Sequence, residues 1–176
     1  MLEPCVVWFT GISGAGKTTI GKELCSKLST INIRNYLLDG DILRKGLCND
    51  LSFSVKDRIE NLRRACHVAH LLMDSGCIVV ATFITPFESV RKKIRSTFTK
   101  YTFFEVFIDT PFEIAKERDV KGLYKKAISG NIKDFTGITS PYETPESPDL
   151  IINTIEMSPS EASSKIIALL PSKFTK

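Results

Sequence analysis

Gly11-Ile12-Ser13-Gly14-Ala15-Gly16-Lys17-Thr18 fills every constrained position of the pattern G-x-x-x-x-G-K-[ST]. Glycines in this arrangement let backbone N–H groups turn inward around an anion. The lysine reaches the β- and γ-phosphates of a nucleotide, and the hydroxyl after it is placed to ligate Mg²⁺. A helix that starts here directs its positive end at the same phosphates. The flanks agree with this reading. Cys5-Val6-Val7-Trp8-Phe9-Thr10 is a short apolar run, as a buried parallel strand requires, and Ile20, Leu24 and Leu28 recur at helical spacing beyond the loop.

Further strand-like runs lie at 35–38, 77–84, 103–108 and 150–152, with helical patterns between them. The alternation predicts an α/β fold of the P-loop type: a central parallel sheet of about five strands, helices on both faces, and one domain over 1–176. The 176 residues are 43% hydrophobic and 25% charged, an ordinary soluble composition. No apolar stretch approaches the roughly 20 residues of a membrane span. The net charge of +4 is too small to argue for nucleic acid but suits a small polyanion. Five cysteines without a C-x-x-C pair point to reduced thiols, not to zinc or a disulfide framework. The first strand leaves no room for a leader, so the expected location is cytoplasmic, an organelle remaining open if a targeting segment lies outside this sequence.

Three segments, Thr85-Pro86-Phe87-Glu88, Thr110-Pro111-Phe112-Glu113 and Ser158-Pro159-Ser160-Glu161, share hydroxyl, Pro, any, Glu and are expected to cap helices. Ser54-Val55-Lys56-Asp57 is a weaker cap before a long helix whose expected buried stripe is Ile59, Leu62, Cys66, Ala69 and Leu72 or Met73. Asp39-Gly40-Asp41 ends the second strand beside the phosphate loop. It suits Mg²⁺, its water shell or an acceptor hydroxyl, and equally an N-cap followed by a first-turn acid. Arg58, Asn61, Arg63 and Arg64 cluster on the long helix, where a guanidinium fork suits phosphate or sulfate, although adjacent residues cannot both face a site. His67 and His70 are read as structural, not as metal ligands. Residues 120–148, basic at first and then rich in Gly and Pro, read as a lid.

Taken together, GISGAGKTTI, LDGDILRKGL, FSVKDRIENLRR, ATFITPF, the stretch from FEVFIDTPFE to IKDFTGI, and PYETPESPDLIINT resemble the adenylylsulfate kinases. These segments cover nearly the whole chain in family order. The resemblance implies Mg²⁺-dependent transfer of the ATP γ-phosphate to the 3′-hydroxyl of adenosine 5′-phosphosulfate. ATP would be held by Gly11, Ser13, Gly14, Ala15, Gly16, Lys17, Thr18 and Thr19, with Arg118 and Thr154 near its adenine. Thr18 and Asp39 would serve the metal. Lys17, Asp39, Asp41 and the lid cation Lys121 would carry the chemistry, Asp41 positioning or deprotonating the acceptor hydroxyl. Arg44, Arg58 and Asn61 would grip the phosphosulfate, Phe53 and Phe135 would sandwich its adenine, and Ile84 and Thr85 would line the same site. The family is often dimeric, so a homodimer is implied, as is functional coupling to ATP sulfurylase. Neither nucleic acid nor a membrane is an expected partner.

Four departures stand out. Thr85 replaces a Ser that is sometimes described as a phosphoenzyme site, and it is catalytic only if such an intermediate exists. In-line transfer needs none. Ile42 and Lys45 replace commoner Asn and His or Gln, and Thr139-Ser140 replaces an Asp. Two rival readings remain: a P-loop kinase for another small alcohol, and a non-catalytic nucleotide-binding regulatory domain.

Overall fold

The structure, a computed structural model, describes residues 2–119, 122–132 and 134–171. Five apolar segments form the strands β1 (Cys5–Thr10), β2 (Asn35–Asp39), β3 (Ile78–Thr82), β4 (Thr102–Asp109) and β5 (Leu150–Asn153). They pair in parallel in the order β2-β3-β1-β4-β5. A sheet covered on both faces has no polar side, which is why the central strand reads as a continuous apolar run. All six residues of β1 are buried, and they alternate between two cores. Val7 and Phe9 pack with Ile20, Leu24 and Leu28 of α1 (Lys17–Thr30) and Ala162 and Ile166 of α7 (Pro159–Leu169). Val6 and Trp8 pack with Leu62, Ala65 and Met73 of α3 (Val55–Asp74) and Ile94 of α4 (Glu88–Thr97). Trp8 is 1% exposed and stacks on Phe83 at 4.9 Å. Each such side chain contributes about 1.5–3 kcal/mol of burial.

The chain leaves β1 towards β2 and leaves β4 towards β5, so the order reverses between β1 and β4. Ligands of open α/β sheets bind at the carboxyl edge beside such a reversal, and the glycine loop sits there.

Two expected caps form and two do not. Ser54 accepts from the Asp57 amide, and Ser158 with Glu161 makes a full capping box. Thr85 is no cap: α4 starts after Phe87, without a side-chain cap. Thr110 is also displaced, since α5 (Phe112–Arg118) starts after Pro111. Both threonine hydroxyls are taken by distant partners, described below. The stripe on α3 also differs at one end. Ile59 is 39% exposed and Asn61 is 5% exposed, because Asn61, Leu62, Ala65, Cys66, Ala69 and Met73 form the inward row. The 120–148 segment is less polar in effect than its composition. Around α6 (Leu123–Ile128) it closes a small core of Ala115, Tyr124, Ala127 and Phe135.

Candidate active site

A loop that turns its amides to an anion must turn its carbonyls away and satisfy them elsewhere. Here the carbonyls of Gly11, Ile12, Ser13, Ala15 and Gly16 each have a partner. Lys17 Nζ donates to Gly11 O at 2.8 Å and to Ile12 O at 2.6 Å. Tyr124 Oη donates to Ser13 O at 2.8 Å, Thr110 Oγ1 to Ala15 O at 3.0 Å, and the Ile20 amide to Gly16 O at 3.0 Å. Two glycines are demanded by close approach. A Cβ on Gly11 would lie 2.7 Å from Ile108 O and one on Gly14 would lie 2.6 Å from Ala115 O, and both have positive φ. Ala15 is buried, while Thr19 points to solvent.

Asp39 joins this loop to the end of β2. Its Oδ2 accepts from Thr18 Oγ1 and from Thr82 Oγ1, each at 2.8 Å, and its Oδ1 accepts from the Asp41 amide at 2.9 Å. Burial pushes the carboxyl up, but the two hydroxyls and the amides of Asp41 and Ile42 outweigh it and hold it below the usual carboxylate value. Asp39 is thus an N-cap of the short helix α2 (Gly40–Lys45), and Asp41 is its exposed first-turn acid. The two readings left open by sequence are not exclusive, because the cap is also the residue that orients the Thr18 hydroxyl.

Across from Asp41, two cations share a half-buried site. Arg44 Nη1 donates to Ser52 O at 3.0 Å and the guanidinium lies 4.3 Å from the centre of the exposed Phe53 ring. Arg58 Nε donates to Phe53 O at 2.8 Å, Nη1 to Thr136 Oγ1 at 2.7 Å, and Nη2 to Asp134 O. One side chain therefore fastens the backbone at Phe53 to the residues on either side of Phe135. Neither guanidinium is paired with a carboxylate among the described residues. Burial pulls both below the usual arginine value. At Arg58 the adjacent Arg44 adds to this, and at Arg44 nearby Cys48, Asp41 and Asp57 oppose it. Beside them, Asn61 Oδ1 is a buried acceptor with no partner among the described residues. Arg63 and Arg64 do not join the site. Arg63 pairs with Glu60 at 2.7 Å and Arg64 with Asp50 at 2.6 Å. His67 is exposed, His70 stacks on Phe98 at 4.4 Å, and no cluster of His, Cys, Asp and Glu among the described residues could hold a metal.

The turn after β3 is locked from below. The Ile84 carbonyl accepts from Thr10 Oγ1 at 2.7 Å and from the Gly11 amide at 3.3 Å. Thr85, 1% exposed, holds a φ of 44°, which a β-branched residue rarely adopts. Its hydroxyl accepts from Trp8 Nε1 at 3.0 Å and its carbonyl from Arg91 Nη1 at 2.8 Å. On the other flank Arg118 lies beside Gly16 and bonds to the hydroxyl and carbonyl of Thr154 at 3.4 and 3.5 Å. Between Ile12, Asp109, Thr110, Tyr142 and Thr144 opens a cavity of about 620 Å³. Of the departures, Ile42 and Lys45 are exposed, and the Thr139 hydroxyl accepts from the Phe135 amide at 2.8 Å, a task an Asp carboxylate would also perform. Lys121 lies outside the described residues. Thr136 and Tyr124 were not singled out by sequence. A signal for Tyr124 exists in the apolar Leu123-Tyr124 step and Ala127 within a basic stretch; Thr136 carries none.

The family model for adenylylsulphate kinase matches residues 3–153. The adenylyl-sulfate kinase of Burkholderia ambifaria is 51% identical over 166 residues, 94% of this chain and 92% of that protein. That of Marinobacter nauticus is 48% identical over 168 residues, 96% of this chain and 84% of that protein. Among solved structures, the Mycobacterium tuberculosis APS kinase CysC in complex with AMPPNP and APS is similar with a TM-score of 0.91 at 45% identity, over 96% of this chain and 98% of that one. With its phosphate loop, paired arginines and aromatic residues arranged as above, the chain belongs to the adenylylsulphate kinase family.

Proposed function

We propose that this chain transfers the γ-phosphoryl group of ATP to the 3′-hydroxyl of adenosine 5′-phosphosulfate, giving 3′-phosphoadenylylsulfate and ADP. The observation that carries the acceptor assignment is the Arg44–Arg58 pair: two half-buried cations with no carboxylate partner among the described residues, one over the Phe53 ring and the other bonded to the residues on either side of Phe135. Such a site suits an anion attached to a flat ring. The open Asn61 acceptor refines the expectation, since an oxygen acceptor pairs with a donor such as an exocyclic amine or hydroxyl and not with a phosphosulfate oxygen.

Catalysis rests on positioning and charge. With ATP bound, Lys17 exchanges the Gly11 and Ile12 carbonyls for phosphate oxygens, a short swing for a flexible ammonium. Asp41, on the first turn of α2, orients the 3′-hydroxyl and takes its proton. The Ile84 carbonyl is committed to β1, which leaves its amide for the acceptor. Arg118 and Thr154 flank the adenine of ATP, and Lys121 supplies a further cation when the 120–148 segment closes.

The residues fit a nucleotide-borne Mg²⁺. Thr18 offers a hard oxygen, and the ionised Asp39 accepts its proton, leaving a lone pair for the metal. Bound there, Mg²⁺ would supply charge neutralisation at the phosphates. The acceptor is a mixed anhydride that adenylyl transfer to sulfate must supply, so the chain works downstream of an ATP sulfurylase.

An acceptor panel tests the assignment. With ATP and Mg²⁺, ADP release rises with adenosine 5′-phosphosulfate and stays at background with adenosine 5′-monophosphate, gluconate or shikimate. Stimulation by another alcohol in place of the phosphosulfate would overturn it.

A further inference from the structure

Tyr124 is 1% exposed, among the most deeply buried large side chains of the molecule, and its two ends meet the two halves of the site. Its hydroxyl donates to Ser13 O in the phosphate loop at 2.8 Å. Its ring stands edge-on to Phe135 at 5.0 Å and to Phe112 at 5.7 Å. Phe135 lies between Asp134 and Thr136, both held by Arg58 on the acceptor side. The Tyr124 amide donates to Asp119 Oδ1 at 3.1 Å, which fixes the start of α6 and with it the direction of the ring. Burial, with the charge of Asp119 added, pushes the phenol up to about 12, so it remains a donor at neutral pH. Thr110 supports the same loop through Ala15 O, but its other bond runs to Thr154 on the ATP side, away from Phe135.

We propose that Tyr124 is a positioning residue that couples the two substrate sites. Fixing Phe135 against the acceptor holds the Tyr124 hydroxyl on Ser13, and the phosphate loop then keeps its amides turned inward for ATP. The coupling is a free energy shared by both sites, so each ligand tightens the other. The inference rests on the reading of Phe135 as a wall of the acceptor site.

Calorimetry with Mg²⁺ and the non-hydrolysable analogue AMPPNP, with and without saturating adenosine 5′-phosphosulfate, measures this coupling without turnover. The wild-type chain is expected to bind AMPPNP at least about 5-fold tighter when the acceptor is present. Tyr124→Phe keeps the ring in place and is expected to reduce that ratio below about 2-fold, with acceptor affinity alone little changed. Thr110→Val is expected to weaken AMPPNP while leaving the ratio intact. If Tyr124→Phe does not fold, Phe135→Leu cuts the same path from the other side and must lose the ratio. Wild-type coupling in Tyr124→Phe or Phe135→Leu, or no coupling in the wild type, overturns the relay alone. Absence of any acceptor binding to the wild type overturns the substrate assignment and the relay together.

Discussion

The Thr18 hydroxyl donates to Asp39 Oδ2 across 2.8 Å, fastening the residue after the loop lysine to the end of β2. The same oxygen accepts from Thr82 on β3, so one carboxylate registers the loop against two strands. Replacing Asp39 by Asn turns one of these acceptors into a donor facing hydroxyl donors. Asp39→Asn is expected to cost about 1–3 kcal/mol of stability, measured by urea unfolding at pH 7. The pH dependence follows from the lowered carboxyl. A carboxyl whose folded value lies below its unfolded value stabilises the fold above the unfolded value, near 4. That contribution is lost as pH falls through the folded value. The wild-type chain is therefore expected to lose this increment below about pH 4, and Asp39→Asn to lack it. Identical acid profiles would contradict the assignment.

Arg58→Ala should separate the two nucleotides. The side chain bonds to Phe53 O, Asp134 O and the Thr136 hydroxyl and, among the described residues, to none of the phosphate loop. Loss of a charged hydrogen bond costs about 1.5–3 kcal/mol, so adenosine 5′-phosphosulfate is expected to bind at least 10-fold more weakly while ATP binding changes little. Arg58→Lys should recover little, because an ammonium cannot span Phe53, Asp134 and Thr136 together. Equal losses for both ligands by calorimetry would contradict it.

Thr85 is expected not to carry phosphate. Its hydroxyl lies under the sheet edge, bound to the Trp8 indole, in a residue that is 1% exposed. Incubation with γ-labelled ATP, with or without acceptor, should leave no acid-stable label on the protein. Thr85→Val strands the buried Trp8 N–H and is expected to cost about 1–3 kcal/mol, while turnover per folded molecule stays within a few-fold. A labelled Thr85 peptide would overturn direct transfer.

Arg91 holds together two segments that frame the site. Its side chain is 1% exposed, bonds to Thr85 O and to Glu143 O at 2.7 Å, and pairs with Glu88 at 2.5 Å and Glu105 at 3.3 Å. Arg91→Met takes the buried cation from Glu105 and Glu88, leaving them, among the described residues, only Arg95 and Lys92, each at 3.6 Å, an expected loss of about 3–5 kcal/mol. Burial already raises Glu105, against the pull of Arg91 and Arg95. A carboxyl raised in the fold stabilises below its unfolded value and loses that contribution as pH rises through the folded value. The variant is therefore expected to be relatively more stable near pH 5 than at pH 7. Thermal unfolding at both values checks the sign.

The fold was readable wherever local pattern and tertiary demand coincide. The apolar runs became the five strands, and Ser54 and Ser158 became caps because the amides of Asp57 and Glu161, three residues on, are the nearest donors. Thr85 and Thr110 carry the same local signature, yet Trp8 and Ala15 compete for their hydroxyls, and neither partner is near in sequence. The exchange of Ile59 for Asn61 on α3 has a similar cause: the inward row of a helix continues into the site, where a polar residue is wanted. The grouping of Lys17, Thr18 and Asp39 in the candidate site was legible, because the phosphate loop constrains its neighbours. The pairing of Arg58 with Thr136 and of Tyr124 with Ser13 depends on how the 120–148 segment folds back, which its Gly- and Pro-rich sequence does not announce.

The most direct measurement is ADP release from ATP and Mg²⁺ in the presence of adenosine 5′-phosphosulfate, with the position of the new phosphate read by ³¹P and ¹H NMR. Stoichiometric ADP and a product phosphorylated at the 3′-oxygen, abolished in Asp41→Asn, is the predicted result. Binding of both nucleotides without turnover, or ADP release indifferent to the phosphosulfate, would contradict it.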